Sequence, residues 1–344
     1  MRAKHNQAIA IWLYFGAFCI MIQILLGGIT RLSGSGLSIT EWNPLMGFLP
    51  PLNELEWQHS FDQYKKIAQF QLLNAHFSLE DYKSIFFWEW FHRNWARFIG
   101  IAFLLPFIYF IIKGKIERKL ILPIFVLFLL GLLQAIIGWL MVKSGLNDTD
   151  ISVSHIRLAI HFISAIILLG YTLWLAFKLS LDHLKMRHRL QFSRLNSLIL
   201  VLLFIQLIYG ALMAGSHAAL AAPTWPDMNG AIVPENILLQ IFSIYQLTEN
   251  LLTIQLVHRF LAYMICLLII LLYVRSSSWK INKHLSYIRT IPMLLVAIQV
   301  ISGVTALLHS VNSDYKTYAL FHQFIGMLLT ISLLLLLFLN QKKT

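Results

Sequence analysis

Long apolar runs separated by short polar, mostly basic clusters organise this chain from end to end. Eight runs, at roughly 8–29, 94–112, 120–142, 156–178, 197–215, 253–274, 290–309 and 317–339, each approach the roughly 20 residues a helix needs to cross a bilayer core. Two polar connections are long. The first, 30–93, carries Pro44, Pro50, Pro51, Trp42 and Trp57, and its stretch around 78–93 reads as a short helix starting at Ser78. The second, 216–252, contains Ala-Pro-Thr-Trp-Pro at 222–226. Loops of that length are functional or disordered, and their density of aromatics argues against disorder.

Composition agrees with the pattern. Hydrophobic residues make up 58% of the 344 positions and charged residues 12%, with a mean hydropathy of +0.70. That balance excludes a soluble enzyme, a disordered chain and a disulfide scaffold. The net charge of +12 is not the basic face of a nucleic-acid binder, because its placement is topological. With a cytoplasmic N-terminus, the inner segments hold Arg2, Lys4, Lys113, Lys115, Arg118, Lys119, Lys178, Lys185, Arg187, Arg189, Arg194, Arg275, Lys280, Lys283, Arg289, Lys342 and Lys343. Only Glu117 and Asp182 of the acids join them. Positively charged loops stay inside, and an even number of spans returns the chain to its starting side, so both termini are expected in the cytoplasm. The first run begins near Met1 and lacks a small-residue cleavage site, so it reads as a span and not as a signal peptide. No Arg/Ser-rich transit segment precedes it, which points to the inner membrane of a bacterium. Cys19 and Cys266 both lie inside apolar runs, so neither a disulfide nor a thiolate metal site is expected.

An internal repeat carries most of the chemistry. The odd-numbered spans share Gln23-x-x-x-Gly27, Gln134-x-x-x-Gly138, Gln206-x-x-x-Gly210 and Gln299-x-x-x-Gly303, and the even-numbered spans each hold a histidine near the outer end: His92, His161, His258 and His322. The expected fold is therefore an all-α integral membrane protein whose eight transmembrane helices form two pseudo-symmetric four-helix bundles, 1–180 and 181–344, related by an axis along the membrane normal. The Gln-x-x-x-Gly pairs read as helix-packing signatures, since small residues let helices approach. Ionisable residues inside spans are costly and functional by default, and four at one depth strengthen that reading. Facing histidines in a four-helix bundle are a standard axial pair for a haem iron. Zinc prefers a fuller N/S/O set, and a proton relay would add acids that these helices lack.

Glu89 and Glu249 are the exceptions, each near the start of a histidine-bearing helix. Glu89 lies three residues before His92, on one helical face, where it either orients or acts on a bound group or serves as a surface acid at a helix start. Arg93 and Arg259 each follow a histidine, placed either to pair with an anionic group such as a haem propionate or to snorkel to lipid phosphate. His5, His59, His76, His183, His188 and His284 fall in loops or near termini and read as solvated. His155, His217 and His309 lie near outer helix ends and rank below the four of the repeat.

Several strings resemble one family. Gly-Gly-Ile-Thr-Arg-Leu-Ser-Gly-Ser-Gly-Leu-Ser at 27–38 with Glu41-Trp42, Glu-Trp-Phe-His-Arg-Asn-Trp-Ala-Arg at 89–97, Gly-Trp-Leu-Met-Val-Lys-Ser-Gly-Leu at 138–146, Ser-His-Ile-Arg-Leu-Ala-Ile-His at 154–161, His-Arg-Phe-Leu-Ala-Tyr at 258–263 and His322-Gln323 resemble, in order along nearly the whole chain, the haem A synthase family (CtaA/COX15). The resemblance implies oxidation of the C8 methyl of haem O to the formyl of haem A, in oxygen-dependent steps through a hydroxymethyl intermediate. It implies that His92 and His161 flank the substrate haem iron, that His258 and His322 ligate a haem b, and that Glu89 is the family's functional glutamate. Two departures stand out. The first outer loop lacks the cysteine pair of some members, so this chain resembles the bacterial type without it. The segment 214–230 keeps only the Thr-Trp-Pro core of the usual loop. Expected partners are haem O, membrane lipid, haem O synthase and the cytochrome oxidase assembly proteins, with a homo-oligomer left open. The competing reading is a dihaem membrane cytochrome b that passes electrons without altering its haem; a transporter with parallel repeats would hold no haem.

Overall fold

The computed structural model describes residues 2–41, 46–185, 190–234, 243–276 and 287–341. Trp42, Pro44, His188, His284 and the inner cations Arg187, Arg189, Lys280, Lys283, Lys342 and Lys343 lie outside the described residues. Among the described residues the regular structure is helical: α1 (Arg2–Leu32), α2 (Glu54–Tyr64), α3 (Leu79–Ile112), α4 (Arg118–Lys143), α5 (His155–Ser180), α6 (Leu190–Ser216), α7 (Ile244–Glu249), α8 (Leu251–Ser276), α9 (Thr290–Leu308) and α10 (Tyr315–Leu339), with short 3₁₀ and π turns between them. Eight of these helices are long and apolar enough to cross a membrane. Their outward faces stay apolar, with Leu122 and Ile301 about two-thirds exposed, as suits helices whose solvent is lipid.

One expected element changes. The short helix at 78–93 and the second span at 94–112 are a single helix of 34 residues. A capping box starts it: Ser78 Oγ accepts from the Asp81 amide while the Asp81 carboxylate accepts from the Ser78 amide. No breaker follows until Pro106, so the apolar run and its polar prelude share one set of backbone hydrogen bonds.

The chain divides into two compact units, one of Phe15–Leu168 and the other of Met1–Tyr14 with Leu169–Thr344. In the second, α6 packs on α8 and α9 on α10, while α10 also meets α6 and α8 meets α9. Ile199, Leu203, Ile265, Ile269, Leu329 and Leu333 fill the space between them. Asn196, fully buried there, donates to the Leu333 carbonyl at 3.1 Å.

The first unit adds an aromatic cap built from the long loop. α1 ends in a Schellman turn: Gly34 takes φ +73°, and the Ser35 amide bonds the Thr30 carbonyl at 2.9 Å. Asn53 caps α2 by accepting from the Glu56 amide, with Glu54 and Glu56 against the positive end of the helix dipole. Phe61 and Tyr64 of α2 stack on Tyr82 of α3 at 5.0 and 5.3 Å between ring centres. Tyr82 donates to the Ser38 carbonyl at 3.1 Å and lies 2.6 Å from Ser60 Oγ. Burial pushes the Tyr64 phenol up to about 12, so it remains a donor, to Gln69 Oε1. Gln69 in turn donates to the Gly34 carbonyl at 3.2 Å. The cap thus pins residues 34–38 at both ends.

Tyr82→Phe should remove the hydrogen bonds to the Ser38 carbonyl and to Ser60 Oγ and strand that carbonyl, costing about 1–3 kcal/mol. Tyr82→Ala should cost about 3–5 kcal/mol of local stability. Amide hydrogen exchange over 33–74 should rise in that order while exchange in α9 and α10 stays unchanged.

Candidate functional site

The four repeat histidines occupy four seats built alike. A helix that carries Gln and Gly four residues apart presents both on one face, one turn from each other. The neighbouring helix lays its imidazole into the gap where the glycine has no side chain. A Cβ on Gly27 would meet the His92 ring at 3.4 Å, on Gly138 the His161 ring at 2.8 Å, on Gly210 the His258 ring at 3.4 Å, and on Gly303 the His322 ring at 2.7 Å. The glutamine then holds the histidine. Gln134 Nε2 lies 3.2 Å from His161 Nδ1 and donates to the His161 carbonyl at 2.8 Å. Gln206 Nε2 lies 3.3 Å from His258 Nε2, and Gln299 Nε2 lies 3.2 Å from His322 Nε2. Gln23 differs: its amide donates to the His92 backbone carbonyl at 3.2 Å, and the His92 imidazole has no hydrogen bond among the described residues.

The glycines and glutamines are the residues that sequence reasoning undervalued. Read as helix packing, they do pack helix against helix, the glycine facing a histidine ring and the glutamine bridging to the same helix. The usable signal was register, since every Gln-x-x-x-Gly precedes one repeat histidine.

The paired imidazoles of the second unit fit a haem. The His258 and His322 ring centres are 6.4 Å apart with planes at 67°. Imidazoles on opposite sides of one metal, each bonded at about 2 Å, have ring centres roughly 6 Å apart. His258 Nδ1 is buried without a hydrogen-bond partner, a vacancy that a metal bond would fill. No group of three or more His, Cys, Asp or Glu able to hold a metal occurs among the described residues. Two imidazoles suit an iron that brings four ligands of its own and takes two axial ones. Cys19 and Cys266 are both free.

Above each first histidine of a unit sits a latch. Glu89, only 2% exposed, accepts from Ser38 Oγ at 2.8 Å, from the Ile39 amide at 2.9 Å and from the Arg93 guanidinium. Arg93 also donates to the carbonyls of Ile39 and Glu41. A buried carboxylate needs such partners, because removing one commonly costs about 3–5 kcal/mol. The same construction recurs around His258 with an amide as its pivot. Gln255, fully buried, donates to the Ala218 carbonyl at 3.2 Å and accepts from Arg259 at 3.0 Å. Arg259 donates onward to the carbonyls of Ala222, Thr224 and Asp227. Each pivot stands three residues before its histidine and four before its arginine. Both arginines therefore turn onto loop carbonyls, and the Thr-Trp-Pro core at 224–226 is part of the loop that Arg259 holds. Glu249, singled out in the sequence, ends α7; the counterpart of Glu89 by register is Gln255.

His59, His76 and His183 are exposed. His155 opens α5, and His217 adopts the left-handed conformation after α6. His309 ends α9 with Nδ1 2.9 Å from the Thr305 carbonyl and its ring 4.4 Å from Tyr318.

Known proteins resemble this chain over most of its length. The model of the COX15-CtaA family, described as cytochrome oxidase assembly protein, matches residues 10–334. A protein of Flavobacterium johnsoniae named heme A synthase is 38% identical over 312 residues, covering 90% of this chain and 91% of its own. Proteins of the same name from Azorhizobium caulinodans and Wolbachia pipientis are 41% identical over 324 residues (93% and 90% of the two chains) and 39% identical over 306 residues (88% and 85%). Family match and histidine seats extend over the same eight helices: the chain belongs to the COX15-CtaA family.

Proposed function

We propose that this chain is a haem A synthase, an enzyme that converts haem O to haem A. The observation that carries the reading is the asymmetry of the repeat: four histidine seats, two latches, and a carboxylate in only one of them. The proposed arrangement is two pseudo-symmetric four-helix bundles, 1–180 and 181–344, with both termini in the cytoplasm of a bacterium and the long loops on the outer side of its inner membrane. The clustering of Lys and Arg in the inner segments supports that orientation.

In this reading His92 and His161 hold the iron of the substrate haem O, and His258 and His322 hold a haem b. Bound there, haem b supplies one-electron redox chemistry. The rest is work for side chains. The seats fix the rings, so the substrate macrocycle is oriented before reaction. Glu89 lies one turn before His92 on the same helix, with Ser38, Ile39 and Arg93 fixing its carboxylate. With dioxygen as the oxidant, its role is to stabilise positive charge developing at the C8 methyl carbon or to take the proton released as that carbon is oxidised, on the way through the hydroxymethyl stage to the formyl. The aromatic cap excludes water above it. Arg93 and Arg259 are the propionate partners, supported by the Arg259 Nε–H, which is buried without an acceptor. Haem O synthase is the expected supplier of substrate.

Haem analysis of membranes with and without a co-produced haem O synthase tests the assignment: haem A should form only when haem O is supplied. Bound haem with no haem A under either condition would leave a dihaem cytochrome b. His258→Ala or His322→Ala should abolish the haem b spectrum, whereas His92→Ala and His161→Ala should spare it and stop turnover. Glu89→Gln should keep haem b while haem A yield falls about 100- to 1000-fold, with the hydroxylated haem accumulating; normal yield would reduce Glu89 to a latch. Gly303→Ala, whose Cβ would stand 2.7 Å from the His322 ring, should lose or shift the haem b spectrum. Gly210→Ala, at 3.4 Å, should retain it.

A further inference from the structure

Three of the four repeat glutamines carry an idle atom. The Oε1 atoms of Gln23, Gln206 and Gln299 are buried with no hydrogen-bond partner, while Gln134 Oε1 accepts from Ser164 Oγ at 2.6 Å. A buried amide carbonyl without a donor is costly. In Gln206 and Gln299 the idle oxygen shares its amide with the nitrogen that lies on a histidine ring. Rotating the terminal amide by half a turn exchanges the two atoms with almost no change of shape. An imidazole that gives one nitrogen to iron carries N–H on the other, and that N–H requires an acceptor. A metal-bound His258 or His322 and an amide turned about therefore satisfy each other.

We propose that Gln206 and Gln299 are positioning residues that, through their side-chain carbonyls, hold His258 and His322 as axial ligands and strengthen them. The proposal rests on the reading that these histidines bind haem b. An acceptor on the far nitrogen makes an imidazole a more basic ligand and favours the oxidised metal. At His322 the task is shared, because Ser302 Oγ lies 3.1 Å from Nδ1 while Gln299 holds Nε2. Whichever nitrogen binds, one acceptor remains. His258 has only Gln206, since its Nδ1 has no partner. Gln23 is the natural contrast: it is spent on the His92 backbone and leaves that ring unheld.

The test is a potentiometric titration of haem b absorbance in the purified full chain. Gln206→Leu should raise the haem b midpoint potential and speed haem loss to apomyoglobin about 10- to 100-fold, the usual effect of losing such a partner. Gln299→Leu should shift both in the same direction and by less. Gln206→Glu, a stronger acceptor of the same shape, should lower the potential below that of the wild type. Gln23→Leu should leave the potential of haem b unmoved. Leucine variants with wild-type potential and retention overturn the proposal, as does an equal shift in Gln23→Leu. If the leucine variants fail to accumulate, Gln206→Glu decides alone, and an unchanged potential overturns the proposal. Wild-type protein free of haem b overturns the cofactor reading together with this inference, whereas bound haem b with unmoved potentials overturns this inference alone.

Discussion

An imidazole in hydrocarbon has no water to satisfy its two nitrogens, and every feature of the two histidine-bearing units answers that constraint. The ring needs volume inside a packed helix pair, which only a residue without a side chain on the facing helix supplies. It also needs a polar neighbour from protein, since lipid offers none. Glycine meets the first need at all four rings, and glutamine, one turn away, meets the second at three of them. The pair occurs four times because four histidines lie half-buried among the apolar side chains of the spans.

The latches answer the same constraint for a loop. Where the chain leaves α1 or α6 its backbone groups lose their helical partners, and the pivot at 89 or 255 with its arginine collects them. An amide suffices for that purpose around His258, where Gln255 and Arg259 bind loop carbonyls directly. Around His92 the pivot is a carboxylate, which accepts from Ser38 and Ile39. The pivots differ with what the loop offers: hydrogen-bond donors from Ser38 and Ile39 at position 89, and backbone carbonyls at position 255.

Much of this was legible in the sequence. Eight spans follow from run length because bilayer thickness sets a hard minimum. The four histidines stand out because ionisable groups in apolar runs are rare. The short elements were not legible: α2, the turns around it and α7 depend on caps such as Asn53 and Ser243, whose effect on an isolated short helix is too small to read without the surrounding packing. Continuity of α3 was missed because polarity changes at 93 while the backbone does not. Gln255 was missed because, with no formal charge, it looks like any span glutamine, and Glu249 drew attention by its charge alone.

The length of α3 has a mechanical side. Thirty-four residues at 1.5 Å each make a rod of about 50 Å, against a hydrocarbon layer of about 30 Å. One end is clamped in the aromatic cap through Tyr82, and His92 sits ten residues further along with no proline before 106. A helix transmits tilt and twist along its axis with little loss over such a distance. Tyr82 in the cap and His92 in the span therefore share one continuous rod, and the placement of the ring is tied to that of the cap.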